Sequence, residues 1–231
     1  MATNTVTKAQ SPAHSSIGLK LMMAVSGLYF VFFVLFHMYG NLKILAGHEA
    51  FDEYALHLRE MLMPILPFGG FLWIFRVTLI IAIVAHAYSA FTLWGRSNAA
   101  RANRYSVKKA AAATLSSKSM RWGGVAILVF VLFHLAQFTL MWVNVGGTFA
   151  SPAERVVAAF QVWWLTLIYV IALVALGLHL HHGTWSAFQT LGLTNTAKAR
   201  ARAKSLGLFI ATVTVVGFLI PPFAIMFGLI K

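Results

Sequence analysis

Apolar and polar positions fall into long blocks along this chain and do not alternate. Uncharged runs lie between Lys20 and Lys43 (22 residues), Arg76 and Arg96 (19), Arg121 and Glu154 (32), Arg155 and Lys198 (42), and Lys204 and Lys231 (26). A bilayer core needs about 20 apolar residues in helical form, so each run holds one span. The longest run has room for two by length alone, but its part from Gly183 to Asn195 is too polar and turn-rich. The pattern predicts an all-α integral membrane protein, a bundle of five helices over about 19–40, 69–95, 121–144, 156–186 and 205–229.

Residues 1–18 read as a tail, with Ser11-Pro12 as a breaker and Ser15 or Ser16 as the first helix cap. The loop after the first span carries an amphipathic helix over about 48–63, stopped by Pro64 and Pro67. Ser151-Pro152-Ala153-Glu154 has the form of a helix start leading into the fourth span, and Pro221-Pro222 should kink the fifth.

Charge adds a direction. The chain is 60% hydrophobic with mean hydropathy +0.79, too apolar for a soluble domain, yet its formal net charge is +13. Seven basic residues and no acid lie from Arg96 to Arg121, and four more from Lys198 to Lys204; Lys8 and Lys20 mark the tail. The five acids, Glu49, Asp52, Glu53, Glu60 and Glu154, fall in the other two loops. The segregation follows the positive-inside rule, which places the N-terminus and both basic loops in the cytoplasm and the C-terminus outside. Basic loops of this kind are topology signals beside anionic lipid and a docking surface for a cytoplasmic partner; no nucleic acid is implied. With no cysteine, disulfides, thiolate catalysis and Cys-ligated clusters are excluded. Residues 1–16 lack the apolar region and cleavage site of a signal peptide, so the first span is expected to be retained.

The candidate chemistry is histidine. His37, His86, His134 and His179 each sit inside an apolar span, where an imidazole needs a partner. At about 1.5 Å per residue, His37 lies about 25 Å from the inner end of its span, His134 about 20 Å and His86 about 15 Å. His179 falls in the inner third of the fourth span. Two levels result: His37 with His134 on the outer, His86 with His179 on the inner. Two imidazoles from different helices at one depth suit the two faces of a haem b iron, whereas zinc or copper wants three or four ligands converging. Ser26 and Gly123 lie eleven residues before His37 and His134, nearly the same helix face, and place a small residue toward the inner level. His14, His48 and His57 read as solvated. His181 and His182 are open between hydrogen-bonding a propionate and reaching the interface.

Ser26-Gly27-Leu28 followed by His37-Met38-Tyr39-Gly40-Asn41-Leu42, together with His179, Gly183, Trp185, Ser186 and Phe188, resembles the single-chain cytochrome b anchor subunit of succinate:quinone oxidoreductases, of the five-helix, two-haem type. The resemblance spans all five helices. It implies that His37 and His134 ligate an outer haem b, and His86 and His179 an inner one. It selects His179 over His181 and His182, because the family's ligand lies four residues before the glycine. It also implies that electrons pass from a flavoprotein subunit through an iron–sulfur subunit, both on the cytoplasmic side of a bacterial membrane, and through the haems to a membrane quinone, commonly menaquinone.

Ser26, Arg76 and His182 are candidates for the haem environment, and Lys43 and Glu60 for the quinone vicinity. For Arg76, a propionate or snorkelling role ranks above quinone binding. Glu60 reads as a solvated charge, although its position resembles that of a quinone-site acid in some dihaem fumarate reductases. The further acid which that type carries in the last helix is absent here. Two alternatives compete: another two-haem cytochrome b, of ferrireductase or of hydrogenase and formate dehydrogenase type, and a proton-coupled transporter using the histidines as a relay. The transporter would call for broken helices at matching positions, and Pro221-Pro222 has no counterpart.

Overall fold

In a computed structural model that describes residues 15–99, 115–147 and 149–231, the described residues form seven α-helices and one short 3-10 turn. The tail up to residue 14, with Lys8 and His14, and the middle of the basic loop (100–114) lie outside the described residues. In order come α1 (Ser16–Leu42), the 3-10 turn (Lys43–Ala46), α2 (His48–Glu60), α3 (Gly70–Ala99), α4 (Leu115–Phe138), α5 (Pro152–Gln161), α6 (Trp163–Thr190) and α7 (Ala197–Met226). Among the described residues there is no strand. Five of the helices, α1, α3, α4, α6 and α7, are long and apolar enough to cross a membrane.

Local chemistry sets the starts. Ser15 accepts from the amide of Gly18 at 3.0 Å, Ser151 from that of Glu154 at 3.2 Å, and Thr196 from that of Ala199 at 3.1 Å. Each hydroxyl satisfies an amide that the first turn leaves unpaired, a contribution of about 1 kcal/mol. Pro152 occupies the first turn of α5, where its missing N–H costs nothing.

The fourth span differs from the continuous helix expected over 156–186. The helix begun at Pro152 ends at Gln161, Val162 is extended (φ −89°, ψ 105°), and a new helix runs from Trp163 to Thr190. The break is closed locally: Thr166 Oγ1 donates to the Phe160 carbonyl at 3.1 Å, and the Leu165 amide to that of Val162 at 3.1 Å. Its reason is packing. Val156, Val157, Ala159 and Phe160 are buried with Ile44, Leu165, Tyr169 and Ile225 in one hydrophobic cluster. A straight continuation would turn that apolar face away from the core. Asp52 of α2 fixes the arrangement, its Oδ1 accepting from the Ala153 amide at 2.9 Å.

Other boundaries also shift. The third span, α4, ends at Phe138, short of the expected 144, in a turn where Met141 takes φ 57°. The fifth span, α7, begins at Ala197, ahead of the expected 205, and remains helical through Pro221 and Pro222 to Met226. Both prolines are buried, and Ile225 just beyond them belongs to the core.

The two ends of the bundle are chemically distinct. Ser16, Arg96, Arg121 and Lys198–Lys204 lie at a basic end, where Arg96 donates to Ser16 Oγ at 3.1 Å and Arg121 to Asn98 and Ser97 at 3.2 Å each. The acids lie at the opposite end, on α2 and α5. In the bundle α1 packs on α3, α6 and α7, and α6 packs on α4, α1 and α7. The helix pairs α1/α4 and α3/α6 make little or no direct packing and face each other across the interior.

Candidate functional site

Those two facing pairs carry the histidines. The rings of His37 on α1 and His134 on α4 lie 5.7 Å apart, centroid to centroid, and those of His86 on α3 and His179 on α6 lie 6.2 Å apart. All four residues are half-buried. Two metal–imidazole bonds of about 2 Å, extended by the half-widths of two five-membered rings, give a centroid separation of about 6 Å. Both pairs have it. Among the described residues no group of three or more His, Cys, Asp or Glu side chains gathers; the imidazoles meet in twos.

Hydrogen bonds fix which nitrogen is free. Ser26 Oγ has one proton and lies 2.7 Å from the Met22 carbonyl, to which it donates; it also lies 3.1 Å from His86 Nδ1. With its proton committed, the hydroxyl accepts from Nδ1–H, which leaves the lone pair of His86 on Nε2. Tyr169 O–H donates to Gln137 Oε1 at 2.7 Å, and its oxygen lies 3.1 Å from His134 Nδ1. The same reasoning puts the lone pair of His134 on Nε2, given the amide orientation assigned to Gln137. A metal-bound histidine characteristically donates its other N–H in this way. His179 Nδ1 is buried without a partner.

Small and flat side chains surround the rings. A Cβ on Gly27 would come 3.3 Å from His86 Cε1, and one on Gly124 would come 3.5 Å from His179 Cε1. Gly27 precedes His37 by ten residues and Gly124 precedes His134 by ten. The two levels are therefore separated by about 15 Å of helix rise on both α1 and α4. On α1 the expected register of eleven also holds, since Ser26 reaches His86; on α4 it is Gly124 and not the expected Gly123 that lies against an inner ring, a Cβ on Gly123 meeting nothing within 4 Å. Phe33 stacks on His37 at 5.3 Å and Phe130 on His134 at 5.8 Å. Each phenylalanine lies four residues before its histidine, a spacing that puts both on one helix face.

The remaining candidates are spread out. Ser26 is buried and bound to His86, so its role is to hold that ring as well as to be small. Arg76 packs its guanidinium 5.3 Å over the ring of Trp73, which is 63% exposed, and so lies on the outer surface. Lys43 lies 4.9 Å over the exposed ring of Tyr39, and Glu60 is exposed at the last residue of α2. Among the described residues no hydrogen bond or ion pair joins Arg76, Lys43 and Glu60. His182 meets Trp185 edge-on at 5.5 Å, and Lys204 covers the same indole at 5.3 Å, at the basic end. His57 is exposed on α2 as expected, but His48 at the start of that helix is not solvated, its Nε2 being buried without a hydrogen-bond partner.

Sequence reasoning missed Tyr169 and Gln137, which read as ordinary members of apolar runs. It also passed over Phe33 and Phe130, whose four-residue spacing from a histidine was available as a signal. The class defined by fold and site is a helical bundle of membrane-spanning character with two imidazole pairs across its interior. No protein-family model, curated protein or solved structure matches the chain.

Proposed function

We propose that this chain is the two-haem cytochrome b anchor of a succinate:quinone oxidoreductase, multi-pass in a bacterial cytoplasmic membrane, with its basic end in the cytoplasm. The observation that carries the reading is the pair of ring separations, 5.7 and 6.2 Å, between helices that face each other across the bundle. His37 and His134 would hold one haem b, and His86 and His179 the other. The residues fit that group: two rings have Nδ1 tied to a hydroxyl and Nε2 free, and glycines keep the space beside His86 and His179 open. Haem b held by two imidazoles supplies one-electron transfer.

The chain's own residues do the rest. Phe33, Phe130 and Phe138 line His37 and His134 with apolar surface and keep water from that level. Arg96, Arg121 and the cluster from Lys198 to Lys204 present positive charge to an iron–sulfur subunit that docks with its flavoprotein on the cytoplasmic face. Menaquinone would be met at the acidic end, where Lys43 and Glu60 supply polar groups to its carbonyls.

Tagging the chain in its native membrane and purifying it in mild detergent tests this function. A flavoprotein and an iron–sulfur polypeptide should copurify, and succinate should reduce the b-type absorption. A haem-bearing chain that isolates alone and ignores succinate would assign it to another class of membrane cytochrome.

A further inference from the structure

The four imidazoles are not equivalent. At each level one ring is tethered through Nδ1 and its partner is not. His86 is tethered to Ser26 and His134 to Tyr169. The hydrogen bond at His37 goes to its backbone carbonyl, from Asn41 at 2.8 Å, and His179 Nδ1 has no partner.

The tether at His134 is the more elaborate. It is a chain of three polar groups, His134 to Tyr169 to Gln137, across α4 and α6. Tyr169 is 8% exposed and Gln137 is 2% exposed. The phenol ring is held between Phe130 and Phe160, each at 4.9 Å and 87°. Phe160 arrives from α5, in the core that the break at Val162 makes possible. Three elements thus fix one hydroxyl. Burying polar groups costs free energy that each must recover from a hydrogen bond, and gluing α4 to α6 needs only the Tyr169–Gln137 pair. The third member, the imidazole nitrogen, is unexplained by packing.

Resting on the bis-imidazole reading above, we propose that Tyr169, backed by Gln137, is a positioning residue that locks His134 in its Nδ1–H form and makes it the stronger electron donor at its level. The Gln137 carbonyl oxygen can only accept, so the phenolic proton is committed to it. The phenolic oxygen then accepts from Nδ1–H, and its own donation polarises it into a better acceptor. A hydrogen bond from Nδ1–H raises the basicity of Nε2. A more basic ligand favours the more positive, oxidised iron and lowers its potential. Ser26 acts on His86 in the same sense, so the two levels are tuned by different residues and can be addressed separately.

The test uses the chain purified with its haems, with haem quantified and both potentials measured by redox titration. Tyr169→Phe should raise one potential by an amount equivalent to about a tenfold change in the oxidised-to-reduced ratio at fixed poise, about 59 mV for one electron, and leave the other in place. Gln137→Leu should move the same haem in the same direction by less. Ser26→Ala should move the other haem. Should Tyr169→Phe fail to fold, the Gln137 variant decides. Two haems whose potentials ignore Tyr169→Phe and Gln137→Leu would overturn this proposal alone, as would Tyr169→Phe and Ser26→Ala shifting the same haem. A wild-type chain without haem would overturn the functional reading and this proposal together.

Discussion

His37→Ala and His134→Ala are expected to abolish the same haem signal and to leave the other intact, while His86→Ala and His179→Ala abolish the second. The pairing follows from ring separations of 5.7 Å for His37 with His134 and 6.2 Å for His86 with His179, and from about 15 Å of helix rise between the levels. Losing an outer-sphere partner of a metal-bound histidine typically costs 10–100-fold in affinity, so losing the ligand itself should reduce occupancy of that site by more than tenfold. Reduced-minus-oxidised spectra with a haem count on each variant read this directly. His37→Ala and His86→Ala silencing one and the same signal would contradict the arrangement. Loss of neither signal would contradict ligation.

Gly207→Ala is expected to destabilise the bundle strongly for so small a change. Its Cβ would sit 2.8 Å from the backbone carbonyl oxygen of His181, where α7 crosses α6. That oxygen belongs to the helix backbone and cannot swing away, so the two helices must separate. Such overpacking costs about 1–3 kcal/mol, several degrees of melting temperature in a chain of this size. Gly177→Ala faces an equally short approach, also 2.8 Å, to a methyl of Val215, whose β-branched side chain is held to one rotamer in a helix, and should cost a comparable amount. Gly95→Ala meets nothing within 4 Å in α3 and should be neutral or stabilising, since alanine is the better helix former. Thermal unfolding in detergent ranks the three. An unchanged midpoint for Gly207→Ala would show that α6 and α7 do not approach at that point.

Much of the bundle was legible because membrane-length apolar runs are an unusually strong signal. The five long helices follow from the gaps between charges, the depths of His37, His86 and His134 from their distances to the basic residue at the inner end of each span, and that of His179 from the end of its own span. The break at Val162 was not legible. Val156 to Leu165 contains no glycine or proline, and the turn there arises from the burial of Val157 and Phe160 against Ile44 and Ile225, far away in sequence. Gly124 was missed in favour of Gly123 because eleven residues return to a helix face only approximately, and one position decides which residue meets a ring. Tyr169 could not be read from its own run. Its significance depends on α4 lying beside α6, which brings His134 and Gln137 to the two sides of its hydroxyl.

The most direct measurement is the haem content of the purified chain, by reduced-minus-oxidised spectroscopy and quantification of extracted haem. Opposed imidazole pairs on two levels predict two haems b per chain, each low-spin and six-coordinate. A folded chain that carries no haem when expressed with ample haem supply, or one haem that survives every single histidine replacement, would contradict it.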